Sequence, residues 1–510
     1  MIGLISRVNR SDIEAELCRR SLRRFGQVAW SIVEPSTPYL DNWHNGIIAE
    51  HLEACARGEI QNLVINQPPG TAKSLWSSVF FPAWWWTWRP DARGLFVSYD
   101  RELSTRDSMR TQKVIESLWY KSRFSGPAGW TLDPRQHEKT YYWNTRTGFR
   151  QSDSFGGSTG WRVNGIVADD PLSVKESWSK PKRTRVNQIW DQALHNRVAD
   201  PQRDFRIVVM QRLHSRDLSG HLLARGDFQH LCLPSEYDPK RSFVTVNREG
   251  RIFREDPRTK PGEVLFPQLQ PVEYLAAERV RLGSTGYANQ HDQSPNVEGG
   301  GLFKRTWWRF WKRDGVGGPG VRARGCYEGA AEPLPDTFDL IGVFVDAAFK
   351  DGDENDYVVI TVVGFKGARR YVLERFRRRA DFSATIGHLT PLVDRWRKDP
   401  RPGRRASRIV IEDKANGPAI VSAISRAVPG VIAWNPGQDS KEARAQFVSP
   451  LVEAGNWVLP DDAPWLDEWI DEFDQFPNGD HDDQVDTVSM AELSTGVNLG
   501  ASRLRALGTL

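Results

Sequence analysis

Cysteine and methionine are scarce, at four residues each in a chain of 510. The cysteines, Cys18, Cys55, Cys232 and Cys326, lie far apart and form no CxxC pair. That spacing gives no zinc site and no disulfide framework, and it fits a reducing cytoplasm. A long hydrophobic run is also missing. The most apolar stretch, residues 79–88, contains Pro82 and Thr87 and is too short for a membrane span. The opening residues carry too little apolar length for a signal peptide, so the expectation is a soluble chain with no membrane partner. Neither sign of charge dominates, because 69 Lys and Arg are set against 65 Asp and Glu, a formal net charge of +4. The total therefore does not mark a nucleic-acid binder, and the placement of charges carries the argument instead. Tryptophan is plentiful, at 21 residues, enough to furnish both core and contact surface.

This length predicts two or three domains. Ile47, Ile48, His51, Leu52 and Cys55 recur at helical spacing, and Gly58 is a stop signal. Strands are expected at residues 63–65, 94–98, 164–168 and 205–210, with helical patterns between some of them. Strands alternating with helices indicate an α/β sheet, largely parallel. The composition changes over 294–335, where Gly and Pro crowd together, and this stretch reads as a linker, although Trp307, Trp308 and Trp311 suggest that part of it packs. A second α/β pattern follows, with strands at 340–345, 357–363, 370–374 and 408–411. The expected division is a helical segment over 1–40, a first domain over 41–293, the linker over 294–335, a second domain over 336–493 and a mobile tail over 494–510.

Two groups of residues suggest chemistry. The strand at 63–65 runs into Gln67-Pro68-Pro69-Gly70-Thr71-Ala72-Lys73-Ser74, ahead of a helical pattern. This is the strand–loop–helix setting of a phosphate-binding loop. Backbone N–H groups of Gly70, Thr71 and Ala72 would cradle phosphate oxygens, Lys73 would reach the β- and γ-phosphates, and Ser74 would bind Mg²⁺. Gln67 and Ala72 occupy the two positions where the usual motif has glycine, and alanine tolerates a positive φ less well. The strand at 164–168 ends in Asp169-Asp170, as a Walker B strand does. Asp169 would hold Mg²⁺ and Asp170 would orient or deprotonate the attacking water. The strand at 205–210 ends at Gln211, where a polar group could sense a γ-phosphate.

The second group is acidic. Asp346 ends one strand, Glu412 and Asp413 end another, and Asp482, Asp483 and Asp486 stand before a helical stretch. Carboxylates brought together repel one another unless cations occupy the site. Two Mg²⁺ or Mn²⁺ ions would activate water and stabilise the leaving oxygen in phosphodiester cleavage. Oxygen ligands and no cysteine favour these ions over zinc. Asp351 and Asp353 read as a solvated loop, and Asp356 as an outer ligand at most.

The order and spacing of these segments resemble the large terminase subunit of tailed bacteriophages. The segments are EHLEACARGEIQNLVINQPPGTAKSL, VSYDRELSTRD, GGSTGWRVNGIVADDP, VVMQRLHSRDLSGHLL, YANQHDQSP with GGGLFKRTWWRFW, VFVDAAFKDGDENDYVV, IVIEDKANGPAI and FPNGDHDDQVD. The resemblance implies an N-terminal P-loop (ASCE-type) ATPase domain and a C-terminal RNase H-like nuclease domain. ATP hydrolysis would drive double-stranded DNA into a procapsid, and the nuclease would cut the concatemer. The implied partners are the DNA, a small terminase subunit and the portal protein, with a homo-oligomeric ring in the host cytoplasm. Nucleotide roles carry over to Lys73, Ser74, Asp169 and Asp170. The nuclease acids carry over to Asp346, Glu412 (favoured over Asp413) and the Asp482/Asp483 pair. Gly70 and Ala72 stand where the family often has Arg and Gly, so a charge-stabilising arginine must come from elsewhere. Arg162 is the candidate, reaching a neighbouring subunit. Asp170 replaces a frequent Glu, and Gln211 a frequent Thr or Ser. The run Arg375–Arg379 is a candidate DNA surface. A helicase–nuclease of DNA repair or defence shares both chemistries and is the alternative.

Overall fold

The computed structural model describes residues 9–157, 160–295, 301–312, 325–347, 357–413, 422, 424–479 and 481–496. Asp351, Asp353 and Asp356 lie outside the described residues, as does most of the expected tail. The chain forms two compact units, one of residues 1–279 with 285–296, the other of 280–284 with 297–510.

The first unit is built on an eight-stranded sheet. Its strands are β1 (Asn62–Asn66), β2 (Arg93–Ser98), β3 (Leu132–His137), β4 (Tyr141–Asn144), β5 (Phe149–Ser154), β6 (Gly165–Asp169), β7 (Phe205–Met210) and β8 (Gln229–Cys232). Their order is β3-β4-β5-β2-β6-β7-β1-β8. From β5 to β8 every pairing is parallel, and β3 and β4 add an antiparallel edge. β6 and β7 are buried along their whole length. That is why they read in sequence as unbroken apolar runs instead of alternating ones. β7 separates β1 from β6, which puts the turns after β1 and β6 about 10 Å apart at one edge of the sheet. A lysine side chain can span much of that gap. The helices Arg10–Arg20 and Leu22–Val33 pack Cys18, Leu22, Phe25 and Ala29 into this unit's core. The residues expected to stand apart as an N-terminal segment therefore belong, where described, to the first unit. A hairpin of β9 (Val244–Val246) and β10 (Ile252–Glu255) completes its strands.

The second unit is a mixed sheet of β11 (Arg309–Lys312), β12 (Glu332–Pro333), β13 (Leu340–Ala347), β14 (Tyr357–Lys366), β15 (Arg369–Arg379), β16 (Arg408–Glu412), β17 (Val431–Trp434) and β18 (Trp457–Pro460). The order is β12-β11-β18-β15-β14-β13-β16-β17. β13, β14 and β15 form an antiparallel meander, while β16 and β17 join β13 in parallel. The parallel register sets Val345 opposite Ile411, so Asp346 and Glu412 follow side by side at the ends of adjacent strands. The helix Asp483–Thr495 packs beside this sheet, and the hydroxyls of Thr487 and Thr361 meet at 2.9 Å.

The linker expectation is corrected by this unit. Within 301–312, Leu302, Phe303, Trp307, Trp308, Phe310 and Trp311 are buried, and β11 pairs with β18. Trp308 packs edge-on against Trp469 and Phe473. Aromatic burial outweighs the glycine content that suggests a connector. The run Arg375–Arg379, a candidate DNA surface, lies in β15, where the side chains of Arg375 and Arg377 are enclosed and pair with Glu468, and Arg378 and Arg379 are exposed. Burial also accounts for the tryptophan content: Trp76, Trp84, Trp85, Trp190, Trp308, Trp457 and Trp469 are all fully enclosed.

Trp308→Ala should therefore cost about 3–5 kcal/mol, the range for emptying a large aromatic site in a core. A linker residue would change stability by no more than about 0.5 kcal/mol. Urea unfolding of the full chain distinguishes the two.

Candidate functional site

At the first site, β1 delivers Gln67 into a tight loop. The Gln67 amide donates to Thr71 Oγ1 at 2.7 Å, and Thr71 Oγ1 donates to the Pro68 carbonyl at 2.7 Å. Gln270 holds the loop from outside by donating to the Pro69 carbonyl at 2.8 Å. Gly70 has φ 74° and Ala72 has φ 61°. The backbone thus keeps the left-handed conformation that glycine usually supplies, at a cost to Ala72 of roughly 1–2 kcal/mol. After Ser74 the chain is wound as a π-helix over Leu75–Phe80 and continues as an α-helix over Phe81–Trp85.

The loop faces the two aspartates that end β6. Lys73 Nζ lies 2.7 Å from Asp170 Oδ1. Ser78 Oγ donates to Asp169 Oδ2 at 3.0 Å, whereas Asp169 Oδ1 is buried and accepts no hydrogen bond. Burial pushes the Asp169 carboxyl well above the usual carboxylate range. Asp170 reinforces the shift, Lys73 opposes it, Asp107 adds to it and the Ser74 hydroxyl opposes it. Asp170 is itself strained, at φ 43°. Two of the four non-glycine residues with positive φ among the described residues, Ala72 and Asp170, therefore lie at this one site. Such conformations persist where the surrounding structure dictates them, and they cluster at functional sites. A buried acceptor without a donor, beside a serine and a lysine, suits a divalent ion carried in with a polyphosphate.

Of the residues expected here, Gly70, Thr71, Ala72, Lys73, Ser74, Asp169 and Asp170 are brought together. Arg162 is not. It precedes β6, at the opposite end from Asp169 and roughly 20 Å away along the strand. Its guanidinium is exposed and donates to the Ala199 carbonyl at 2.9 Å. It cannot serve the nucleotide site of its own chain. Gln211 follows β7, between the strands that carry the loop and the aspartates, with its Oε1 buried and accepting no hydrogen bond. The next residue, Arg212, places Nε 3.1 Å from both Asp217 oxygens, and Asp217 also accepts from Leu213 N at 2.9 Å. Asp107, on the helix Arg101–Glu116, escapes the sequence reading. It is buried, but nothing in RELSTRDSMR marks that acid as such.

At the second site, Asp346, Glu412 and Asp486 are all buried, and each offers a carboxylate oxygen within 4.8 Å of the others. The first two come from β13 and β16, the third from the first turn of the Asp483–Thr495 helix. Asp482 and Asp483, carried over as the third ligand, are corrected. Asp482 precedes that helix and pairs with Lys441 at 2.5 Å, while Asp483 faces Arg377 at 3.8 Å. One helical turn further on, Asp486 has rotated onto the sheet side. Asp413 also stands outside the cluster, and its N–H donates to the Trp434 carbonyl at 2.8 Å, prolonging the β16–β17 ladder.

Two clamps fix Asp486. Glu472 accepts from Gln484 N at 2.6 Å and from the Gln484 amide at 2.7 Å, with Arg377 Nη2 3.2 Å away. From the other side Arg444 Nη2 donates to Asp486 Oδ1 at 2.6 Å and Lys441 Nζ lies 2.9 Å from Oδ2. Burial pulls the Lys441 ammonium down, but Asp486 and Asp482 outweigh it and hold it above the usual lysine range. Lys441 and Arg444 escape the sequence reading too. In KEARAQF they look like an ordinary solvated helix start. Three hard carboxylates converging from three elements suit Mg²⁺ or Mn²⁺.

The family model of the terminase RNaseH-like domain matches residues 343–494. The second unit carries a terminase RNase H-like domain. That match spans all three acids of the cluster and both residues of its cationic clamp. Among solved structures, the chain is similar to the large terminase of a thermophilic bacteriophage. The identity is 9%, covering 91% of this chain and 98% of that one, with a TM-score of 0.41. The same phage's large terminase in complex with ADP matches at 8% identity over 90% and 97% of the two chains, TM-score 0.43. The large terminase nuclease from thermophilic phage G20c with bound magnesium matches at 16% identity over 38% of this chain and 97% of that one, TM-score 0.26. No curated protein matches the sequence.

The buried Asp169 carboxyl gives a pH signature. Its folded form binds a proton more tightly than the unfolded chain, so it makes stability fall as pH rises from the usual carboxylate range toward neutrality. Asp169→Asn should remove this slope, so that the variant gains on the parent as pH rises from about 5 to about 7.5 in the absence of nucleotide. Urea unfolding at the two pH values measures the gap. A variant-minus-parent difference that stays constant or falls as pH rises contradicts the assignment.

Proposed function

We propose that this chain is a large terminase subunit, an ATP-driven DNA-packaging motor joined to a metal-dependent endonuclease. The observation that carries the reading is the pairing of two separate acidic sites in one chain. One stands against a lysine-bearing phosphate loop, and the other lies within a terminase RNase H-like domain.

In the ATPase half, the N–H groups of Gly70, Thr71 and Ala72 would receive phosphate oxygens, with the loop already in its strained conformation. Lys73 would exchange Asp170 for the β- and γ-phosphates. Asp170, released from that pair, would become the acceptor for a proton of the attacking water. Asp169 and Ser74 would hold the Mg²⁺ that accompanies ATP. Gln211, at the end of β7, is positioned to register the loss of the γ-phosphate. The loop after it is tied to Asp217 and so to the helix Leu218–Arg225, which offers a route from hydrolysis to movement. Arg162, remote from this site and bonded to the Ala199 carbonyl, would take part in hydrolysis only from a neighbouring subunit of a ring.

In the nuclease half, Asp346, Glu412 and Asp486 would hold two divalent ions, Mg²⁺ or Mn²⁺. When bound, the ions supply an activated water and charge neutralisation at the leaving oxygen. The chain's own residues would fix the geometry, two ligands on strands and one on a clamped helix. DNA contacts would be chiefly to phosphates, nearly blind to sequence and weakened by salt. The partners of this reading are concatemeric double-stranded DNA, a small terminase subunit and a portal protein, met in the host cytoplasm. No helix among the described residues is long and apolar enough to cross a membrane.

Lys73→Ala should abolish ATP turnover and packaging while leaving DNA cutting in Mn²⁺ largely intact. Asp346→Ala should do the reverse. Full ATP turnover in the first variant, or undiminished cutting in the second, refutes the corresponding site. Strand separation by the parent chain, with no packaging into procapsids, would turn the reading to a helicase–nuclease.

A further inference from the structure

The helix Lys441–Glu453 starts at the acidic cluster. Ser440 caps it, its Oγ accepting from Ala443 N at 3.2 Å. Lys441 stands in the first turn and Arg444 one turn further on. Cations there oppose the helix dipole, which favours negative charge at that end. The placement is therefore unfavourable for the helix itself, and the facing acids are what offset it. Lys441 Nζ lies 2.5 Å from Asp482 Oδ1 and 2.9 Å from Asp486 Oδ2. Arg444 reaches Asp486 Oδ1 at 2.6 Å and Glu412 Oε1 at 3.5 Å.

The two cations differ in freedom. The Arg444 side chain is 4% exposed, and its guanidinium lies over the Trp434 ring at 5.6 Å. It has nowhere to go. Lys441 is 38% exposed at the mouth of the cluster, on a flexible four-carbon stem. It can leave Asp486 for water without breaking any packing, and Asp482 can keep it nearby.

We propose that Lys441 is a displaceable counter-ion of the metal cluster. With a divalent ion held by Asp346, Glu412 and Asp486, the Lys441 ammonium would give up Asp486 and turn outward on Asp482, while Arg444 would stay in place. Lys441 thereby competes with the metal and sets how much of it is needed to load the site. It acts through a ligand and does not itself ligate, so it is a positioning residue. The inference rests on the nuclease reading above.

The test is Mn²⁺ titration of the full chain by calorimetry, without DNA, with Asp346→Ala as the variant lacking the site. Lys441→Met, which keeps the stem and removes the charge, should bind Mn²⁺ about 10-fold more tightly, as expected for deleting a positive charge a few ångströms from the ion. Lys441→Gln should show the same gain, which guards against a folding defect peculiar to one substitution. Lys441→Arg should stay close to the parent. Equal or weaker Mn²⁺ binding in both neutral variants overturns the proposal while leaving the nuclease reading intact. Mn²⁺ binding that is the same in the parent and in Asp346→Ala fails the metal cluster itself.

Discussion

Carboxylates crowded away from water repel one another, and each has lost the hydration that would steady its charge. Only a cation in contact makes the arrangement tolerable. Both sites in this chain are organised by that constraint. Asp169 and Asp170 are met by Lys73, and Asp346, Glu412 and Asp486 are met by Arg444 and Lys441. The folds around them serve to keep the acids together. A parallel sheet places turns that are distant in sequence at one edge, and a mixed sheet brings two strand ends side by side under one helix.

The same constraint explains which parts of the sites can be read from the sequence. Acids at strand ends are legible, because a strand reads as an apolar run and the residue after it is fixed in position. Asp169, Asp346 and Glu412 are found in this way, and so is the choice of Glu412 over Asp413. Acids at a helix start are harder to read, since neighbouring residues point in different directions and a shift of one position changes the face. Asp482, Asp483 and Asp486 all read as candidates and the resemblance points to the first two, whereas the helix turns Asp486 inward. The opposing cations leave no trace at all. Lys441 and Arg444 sit in a helix start that would look the same if it faced solvent.

At the level of the fold, the four principal strands of each sheet are legible as apolar runs. The outer strands are not. β3, at the edge of its sheet, contains Pro134 and is mostly polar, and β11, second from the edge, is hidden in a stretch whose glycines suggest a connector. Trp307, Trp308 and Trp311 hold the contrary signal. A segment with three tryptophans has too much apolar surface to be left in water, and burying it outweighs the conformational freedom that glycine confers.

Of the three acids in the metal cluster, two ride on the central strands of a sheet and one on the opening turn of a helix. That turn is secured by Gln484 on Glu472 and by the arginines of β15. Helix ends fray more readily than sheet centres. Unwinding a single turn at residue 483 would withdraw one ligand and expose Val485, while the strands that carry the other two stay paired. In the proposed motor, a rearrangement confined to that turn would disarm cleavage while leaving the other two ligands in place.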